Sequence, residues 1–183
     1  MHLIKRTIAV NVLGNITLVA SDRGLVALSV HAWRDQPSFS HRREAVVDGE
    51  HPVFSAAQAQ LNAYAAGIQR EFYLVCDLTG LAPFSRSVLE ALRKVPWGQT
   101  RTYGQLAEAA GHGAIAARAV GQTMGRNPLP IIIPCHRVLA SDGLGGFAGG
   151  TDAKRQLLAL EGINTAKMGP GTIERTITTL IRR

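Results

Sequence analysis

Residues 130–150 read PIIIPCHRVLASDGLGGFAGG. Inside that stretch Pro134, Cys135, His136 and Arg137 are consecutive, and their types suit sulfur nucleophile chemistry. The three isoleucines predict a short buried strand that stops at Pro134, because proline removes a backbone donor and fixes φ. A thiol at such a strand end can face a cleft. A neighbouring imidazole or guanidinium favours the thiolate, the nucleophilic form of cysteine. Two readings of Cys135 stand side by side: a catalytic nucleophile, or a thiol packed at a strand end. His136 likewise reads as a base for that thiol or as a cap on the turn. The other cysteine, Cys76, sits mid-strand on an apolar face and reads as a small buried hydrophobe. His31, His41 and His51 recur every ten residues, which is not a metal-ligand spacing, so no zinc site is expected.

The elements that must hold these residues can be placed from pattern. NITLVASD alternates, with Ile16, Leu18 and Ala20 on one face, and GLVALSVHAW follows a turn, so the two predict a hairpin. Residues 34–52 are polar and charged and read as a loop with room for a short helix. Phe54, Ala57, Leu61 and Tyr64 recur at helical spacing before a stop at Gly67. REFYLVCDL reads as a further strand with Phe72, Leu74 and Cys76 on one face. Residues 79–83 form a linker, and the chain beyond it reads as mostly helical. Pro83 opens a helix whose stripe is Phe84, Val88, Leu92 and Val95, closed by Pro96-Trp97-Gly98. Thr102 and Gln105 stand at capping-box spacing, with Gly111 as the stop. AIAARAVGQTMGRN is a second short helix of small residues, and the pair makes a helix-turn-helix pattern. A last helix runs from Thr151 as N-cap to Gly162, with Leu157, Leu158 and Ile163 facing inward. The fold class is therefore α+β: a first domain at 1–78, a linker at 79–83, a second domain at 84–165, and a mobile basic tail at 166–183.

Composition narrows the function classes. At 46% hydrophobic residues the 183-residue chain can bury a core, which excludes general disorder. No apolar run approaches the roughly 20 residues that span a bilayer, and the N-terminal residues lack a signal-peptide pattern, so a cytoplasmic protein is expected. The net charge of +7 is unevenly spread. Residues 1–82 hold seven Lys/Arg and seven Asp/Glu, residues 83–165 nine and five, and residues 166–183 four and one. A neutral front and a basic back fit a polyanion partner, and fit equally an ordinary soluble surface. Arg118 lies among Ala116, Ala117, Ala119 and Gly121. A helix face stripped to Ala and Gly can approach a nucleic-acid backbone closely, and one long cation on it can fill the space of an extruded base. The same face can serve tight helix packing, with Arg118 an exposed residue of no consequence.

PIIIPCHRV, AARAVGQTMGRNP, TRTYGQLA and PVFSAAQAQLNAYAAG resemble the O6-alkylguanine-DNA alkyltransferase family, the methylated-DNA–protein-cysteine methyltransferases, and the Pro-Cys-His-Arg-Val core is highly specific. The likeness spans about residues 7–163 and is strongest from Phe84 to Gly162. It implies an RNase H-like sheet-and-helix front domain and a winged-helix-like back domain carrying the helix-turn-helix. It implies stoichiometric, irreversible transfer of an alkyl group from O6-alkylguanine, and from O4-alkylthymine, in double-stranded DNA to Cys135 after base flipping from the minor groove. No cofactor, membrane or obligate protein partner is implied, and the protein is expected to act as a monomer.

Residue by residue, Cys135 becomes the alkyl acceptor, His136 the base that takes its proton through a water, and Glu161 the group that orients His136. Asn127 braces the turn before the active-site segment. Tyr103 lies near the target phosphate and a ring nitrogen of the base. Arg118 is the finger, and Thr102, Ala116, Ala117, Gly121 and Arg126 join the DNA-facing surface. Phe147, Ala148, Val138 and Pro130 wall the base pocket. Some branches of the family carry tyrosine and serine where this chain has Phe147 and Ala148, so the aromatic wall is kept and a hydroxyl is lost. The front half lacks the cysteines of a zinc-binding phosphotriester sensor. A relative that binds lesions without reacting is the alternative, and the retained Cys135 argues against it.

Overall fold

A computed structural model describes residues 2–32, 46–166 and 168–169. The expected loop at 34–52 lies largely outside the described residues, as do His41 and most of the tail at 166–183.

The front half is a four-stranded sheet in the order β3-β2-β1-β4, built from β1 (Leu3–Val10), β2 (Gly14–Ser21), β3 (Gly24–Val30) and β4 (Val46–Asp48). The predicted hairpin is β2–β3, paired from Ile16↔Val30 to Ser21↔Gly24, with a register shift at Val19/Ala20. β1 pairs antiparallel with β2, and β4 adds in parallel to β1. Ile16, Leu18 and Ala20 are buried on one face, as their alternation predicts. Val19, Val26 and Ala27 bury the other face against Leu3.

Helix α1 (Pro52–Ala65) lays Phe54, Ala57, Leu61 and Tyr64 into the core, and all four are fully buried. REFYLVCDL is not a strand. The segment keeps the alternation, with Leu74 buried while Tyr73 and Val75 are exposed, but it joins β3 only at the isolated bridge Leu25↔Cys76.

α2 (Pro83–Arg93) begins with Pro83 in its first turn and buries Val88 and Leu92. α3 (Tyr103–Ala109) is capped as predicted. Thr102 Oγ1 accepts from Gln105 N at 3.2 Å, and Gln105 Oε1 accepts from Thr102 N at 2.9 Å. The small-residue helix divides into a 3₁₀ turn at Ala114–Ala116 and α4 (Ala117–Gly125), which packs on α3. α5 (Gly150–Leu160) starts one residue before Thr151, with Gly149 rather than Thr151 as its N-cap, and buries Leu157 and Leu158. The expected stops at Gly67 and Gly162 both adopt left-handed backbone.

The buried strand expected at the isoleucines is a turn instead. Pro130 and Pro134 have no N–H to offer a ladder. Ile133 N donates back to Leu129 O at 2.8 Å, and Ile131 takes φ +73°. Cys135–Arg137 then form one 3₁₀ turn, and β6 (Val138–Leu139) pairs in parallel with β5 (Arg101–Thr102). One cluster of buried side chains runs from the front sheet, through α1 and α2, to the isoleucine turn and α5.

Candidate active site

Every residue of the Cys135–Arg137 turn is buried: Cys135 is 3% exposed and His136 not at all. Burial alone would be ruinous for these polar groups unless each found a partner. The turn is fixed from before by Asn127. Its Nδ2 donates to Ile133 O at 2.8 Å, and its Oδ1 accepts from Leu129 N at 3.1 Å. It is fixed from behind by Arg137, whose Nη1 donates to Val95 O at 2.6 Å, just past the end of α2.

Glu161, just past the C-terminus of α5, is the hub. Its Oε1 accepts from His136 Nε2 at 2.7 Å, Tyr64 Oη at 2.8 Å and Arg137 Nη2 at 2.9 Å. Its Oε2 accepts from Arg137 Nε at 2.8 Å and Gly98 N at 3.3 Å. Burial by itself would raise the carboxyl pKa. The hydrogen bonds and charges of His136 and Arg137 outweigh it and hold Glu161 down to about 2. The hub is therefore a carboxylate at any neutral pH.

That ionisation sets the histidine tautomer. A carboxylate only accepts, so Nε2 carries the hydrogen and Nδ1 keeps a lone pair. Nδ1 is buried with no hydrogen-bond partner among the described residues. Burial pushes the imidazole below the ordinary histidine value, against the pull of Glu161, so the ring rests neutral. Burial likewise pushes the Cys135 thiol up, opposed by the Asn127 amide, the Lys154 ammonium and the N–H groups of Cys135 and His136. At rest the turn holds a thiol and, next in sequence, a neutral imidazole whose unpartnered nitrogen is not the one Glu161 holds. Such a pair holds a nucleophile in reserve until the proton is moved.

The segment after the turn is tied down by Lys154 of α5. This fully buried ammonium donates to Val138 O at 2.6 Å, Leu144 O at 2.7 Å and Gly146 O at 3.1 Å. Gly145 sits between Ala140 and the Tyr103 ring at φ +70°. A Cβ there would stand 3.0 Å from Tyr103 Oη and 3.1 Å from Ala140 N. Phe147 meets the His136 ring edge-on at 6.5 Å between centroids.

The residues expected to act together thus separate into two groups. Cys135, His136, Glu161 and Asn127 converge in one buried network. Tyr103 stands against Gly145 and Gly121, at the half-buried join of α3, α4 and the glycine loop. Phe147 and Ala148 are half-buried. Val138 and Pro130 are buried in the core and the turn, so neither offers an open side-chain wall. Arg118 and Arg126 are exposed on and just beyond α4, outside the buried network, while Thr102, Ala116, Ala117 and Gly121 are half-buried nearby. A cavity of about 240 Å³ adjoins the back of the turn, lined by Phe72, Trp97, Ile131, Pro134 and Arg137 among others. Cys135 and Phe147 do not line it, so it is not the chamber for a base.

Three members of the network escape sequence reasoning. Arg137 is visible only as part of the Cys-His-Arg run, and its bidentate grip on Glu161 is 24 residues distant. Lys154 looks like an ordinary helical lysine. Tyr64 looks like one more apolar-face residue of α1, and its partner Glu161 is 97 residues away. A buried tyrosine whose hydroxyl needs a partner is the one available signal.

Comparison with known proteins shows what the chain as a whole is similar to. The family model for the 6-O-methylguanine DNA methyltransferase DNA-binding domain covers residues 83–163. The methylated-DNA–protein-cysteine methyltransferase of Mycobacterium bovis is 41% identical over 150 residues, 81% of this chain and 87% of that one. The protein of that name from Mycolicibacterium paratuberculosis is 49% identical over 110 residues, 60% of this chain and 66% of its own length. The crystal structure of Mycobacterium tuberculosis OGT in complex with DNA superposes with a TM-score of 0.74 at 40% identity. It covers 88% of this chain and 93% of that one.

Proposed function

Because the chain belongs to the methylated-DNA–protein-cysteine methyltransferase family, we propose that it repairs DNA by direct reversal, moving the alkyl group of O6-alkylguanine onto Cys135. The observation that carries the assignment of roles is the orientation of His136. Glu161 occupies Nε2 and leaves Nδ1 as the proton acceptor for the neighbouring thiol.

The Cys135 thiol proton passes to His136 Nδ1 through a water. Sγ attacks the alkyl carbon in line, the S–C bond forms as the C–O6 bond breaks, and the bonding pair leaves with the guanine. The purine then takes up one proton. Donors aimed at the departing base lower the barrier, and the Tyr103 hydroxyl is the candidate here. The imidazolium formed meets the Glu161 carboxylate at once, the arrangement that makes a base, a nucleophile and an orienting acid act as a unit. A thioether has no good leaving group, so each molecule reacts once. O4-alkylthymine is a second substrate by the same chemistry.

We read the sheet with α1, at 1–78, as an RNase H-like scaffold, 79–83 as a linker, and 84–165 as a winged-helix-like unit. α3 and α4 supply the helix-turn-helix. Its DNA-facing surface is the Ala116, Ala117 and Gly121 side of α4, with Thr102 and Tyr103 at the start of α3 and Arg126 beyond α4. Arg118 enters the minor groove and holds the space of the flipped nucleotide. With Cys135 only 3% exposed, the base reaches the sulfur by displacing the half-buried segment that carries Phe147 and Ala148. The reading is tested with a duplex whose O6-methylguanine carries a labelled methyl group. Label moves to wild-type protein and stays off Cys135→Ala; equal labelling of both, or none of either, refutes it.

A further inference from the structure

Tyr64 belongs to α1, in the half of the chain that carries none of the expected site residues. Its side chain is fully buried, and its ring is wedged between Phe72 and Trp97 at 5.3 and 5.2 Å between centroids. That packing leaves the hydroxyl no freedom to wander. It donates to Glu161 Oε1 at 2.8 Å and lies 3.3 Å from His136 Nε2. The same carboxylate oxygen therefore receives the phenol and the imidazole together.

We propose that Tyr64 is a positioning residue for alkyl transfer: its hydroxyl, delivered from the front half, holds the Glu161 oxygen on His136 and moderates the carboxylate's hold on the imidazole proton. The inference rests on the role given to His136 above. Burial first, then the charge and hydrogen bond of Glu161, push the phenol far above the ordinary tyrosine range, so it remains a donor whenever the protein is folded. A neutral, permanent donor on Oε1 drains charge from the oxygen that stabilises the imidazolium. The other charged or titratable groups acting on His136 are Arg137 and Lys154, both cationic, and Cys135 beside it. Of this set Tyr64 alone comes from the front half. Removing its hydroxyl concentrates the carboxylate's charge on the histidine. The imidazole then becomes easier to protonate, and Glu161 loses one of its three guides on Oε1.

The test is Tyr64→Phe, which keeps the ring packing. Single-turnover transfer from an O6-methylguanine duplex should slow about tenfold, the loss expected for one hydrogen bond to a charged group. The acid limb of the rate–pH profile should move up by about half a pH unit, with DNA affinity unchanged. A purely structural tyrosine would alter stability and leave that limb in place. An unchanged rate and limb in a folded variant overturns the inference. Inactivity of wild type would overturn the family mechanism instead, so the two failures are distinct. Should the variant not fold, proton NMR of wild type decides. A slowly exchanging Tyr64 hydroxyl resonance with a cross-peak to the His136 ring supports the proposal, and a freely exchanging hydroxyl refutes it.

Discussion

At the scale of single residues, the proposed chemistry rests on a carboxylate that stays ionised at neutral pH. Glu161 titrates at about 2 in the folded chain against an ordinary 4.5. Its folded pKa is depressed, so its contribution to stability is present above 4.5 and is lost as pH falls toward 2. The size is roughly 3 kcal/mol by linkage. Urea unfolding of Glu161→Gln should show about that deficit at pH 7 and a much smaller one near pH 2.5, together with slowed alkyl transfer at unchanged DNA affinity. A second expectation concerns His136. Its lowered pKa places the acid limb of wild-type transfer below the ordinary histidine value of 6.5, which single-turnover rates between pH 5 and 8 can locate. Cys135 and His136 were legible because they are adjacent in a distinctive run. Glu161 and Asn127 became legible only through the family resemblance. Tyr64 and Lys154 were not read as site residues, since their roles depend on contacts 97 and 8–16 residues away that no local pattern encodes.

At the scale of elements, the decisive piece is the irregular segment from the isoleucine turn to α5. Lys154 converts three backbone carbonyls of that segment into ligands of one ammonium. Lys154→Met keeps most of the apolar stem but leaves those carbonyls without the ammonium, a loss of about 1–3 kcal/mol per buried group left unsatisfied. The predicted result is faster amide exchange at residues 144–148 in hydrogen-exchange mass spectrometry. Gly145→Ala should act from the other side. The added methyl meets Tyr103 and Ala140 at a positive φ, and a cost of about 1–3 kcal/mol in thermal or chemical unfolding is expected. The helices were readable because caps and periodicity are local: Pro83, the Thr102–Gln105 box and the stripe of α1 all fell where the pattern put them. The isoleucine run misleads because a short apolar stretch between prolines carries no periodicity, and its missing N–H groups favour a turn. β1 escaped attention because Lys5 and Arg6 interrupt its apolar residues, although Leu3, Ile8 and Val10 are buried.

At the scale of the whole molecule, front and back halves share one buried core, and α1 sends a hydroxyl into the buried Glu161–His136 network. That gives the neutral front half a task beyond support. The basic back half matches a DNA-binding-domain model over residues 83–163, and if it carries the proposed DNA-facing surface, affinity should fall steeply with salt as phosphate contacts release counterions. Arg118 is exposed and outside the buried network. Arg118→Ala should therefore weaken repair of a duplex lesion far more than transfer from free O6-benzylguanine; equal losses would remove the finger role. The α+β class and the two short helices α3 and α4 could be read from pattern, whereas the joining of the halves through one core depends on packing that spacing does not reveal. The most direct test of the account is peptide mapping by mass spectrometry after reaction with excess O6-methylguanine duplex. One added alkyl group per molecule is expected, on the peptide containing Cys135 and not on that containing Cys76, with no further reaction when fresh DNA is supplied. An unmodified Cys135, an alkyl group on Cys76, or continued turnover would contradict it.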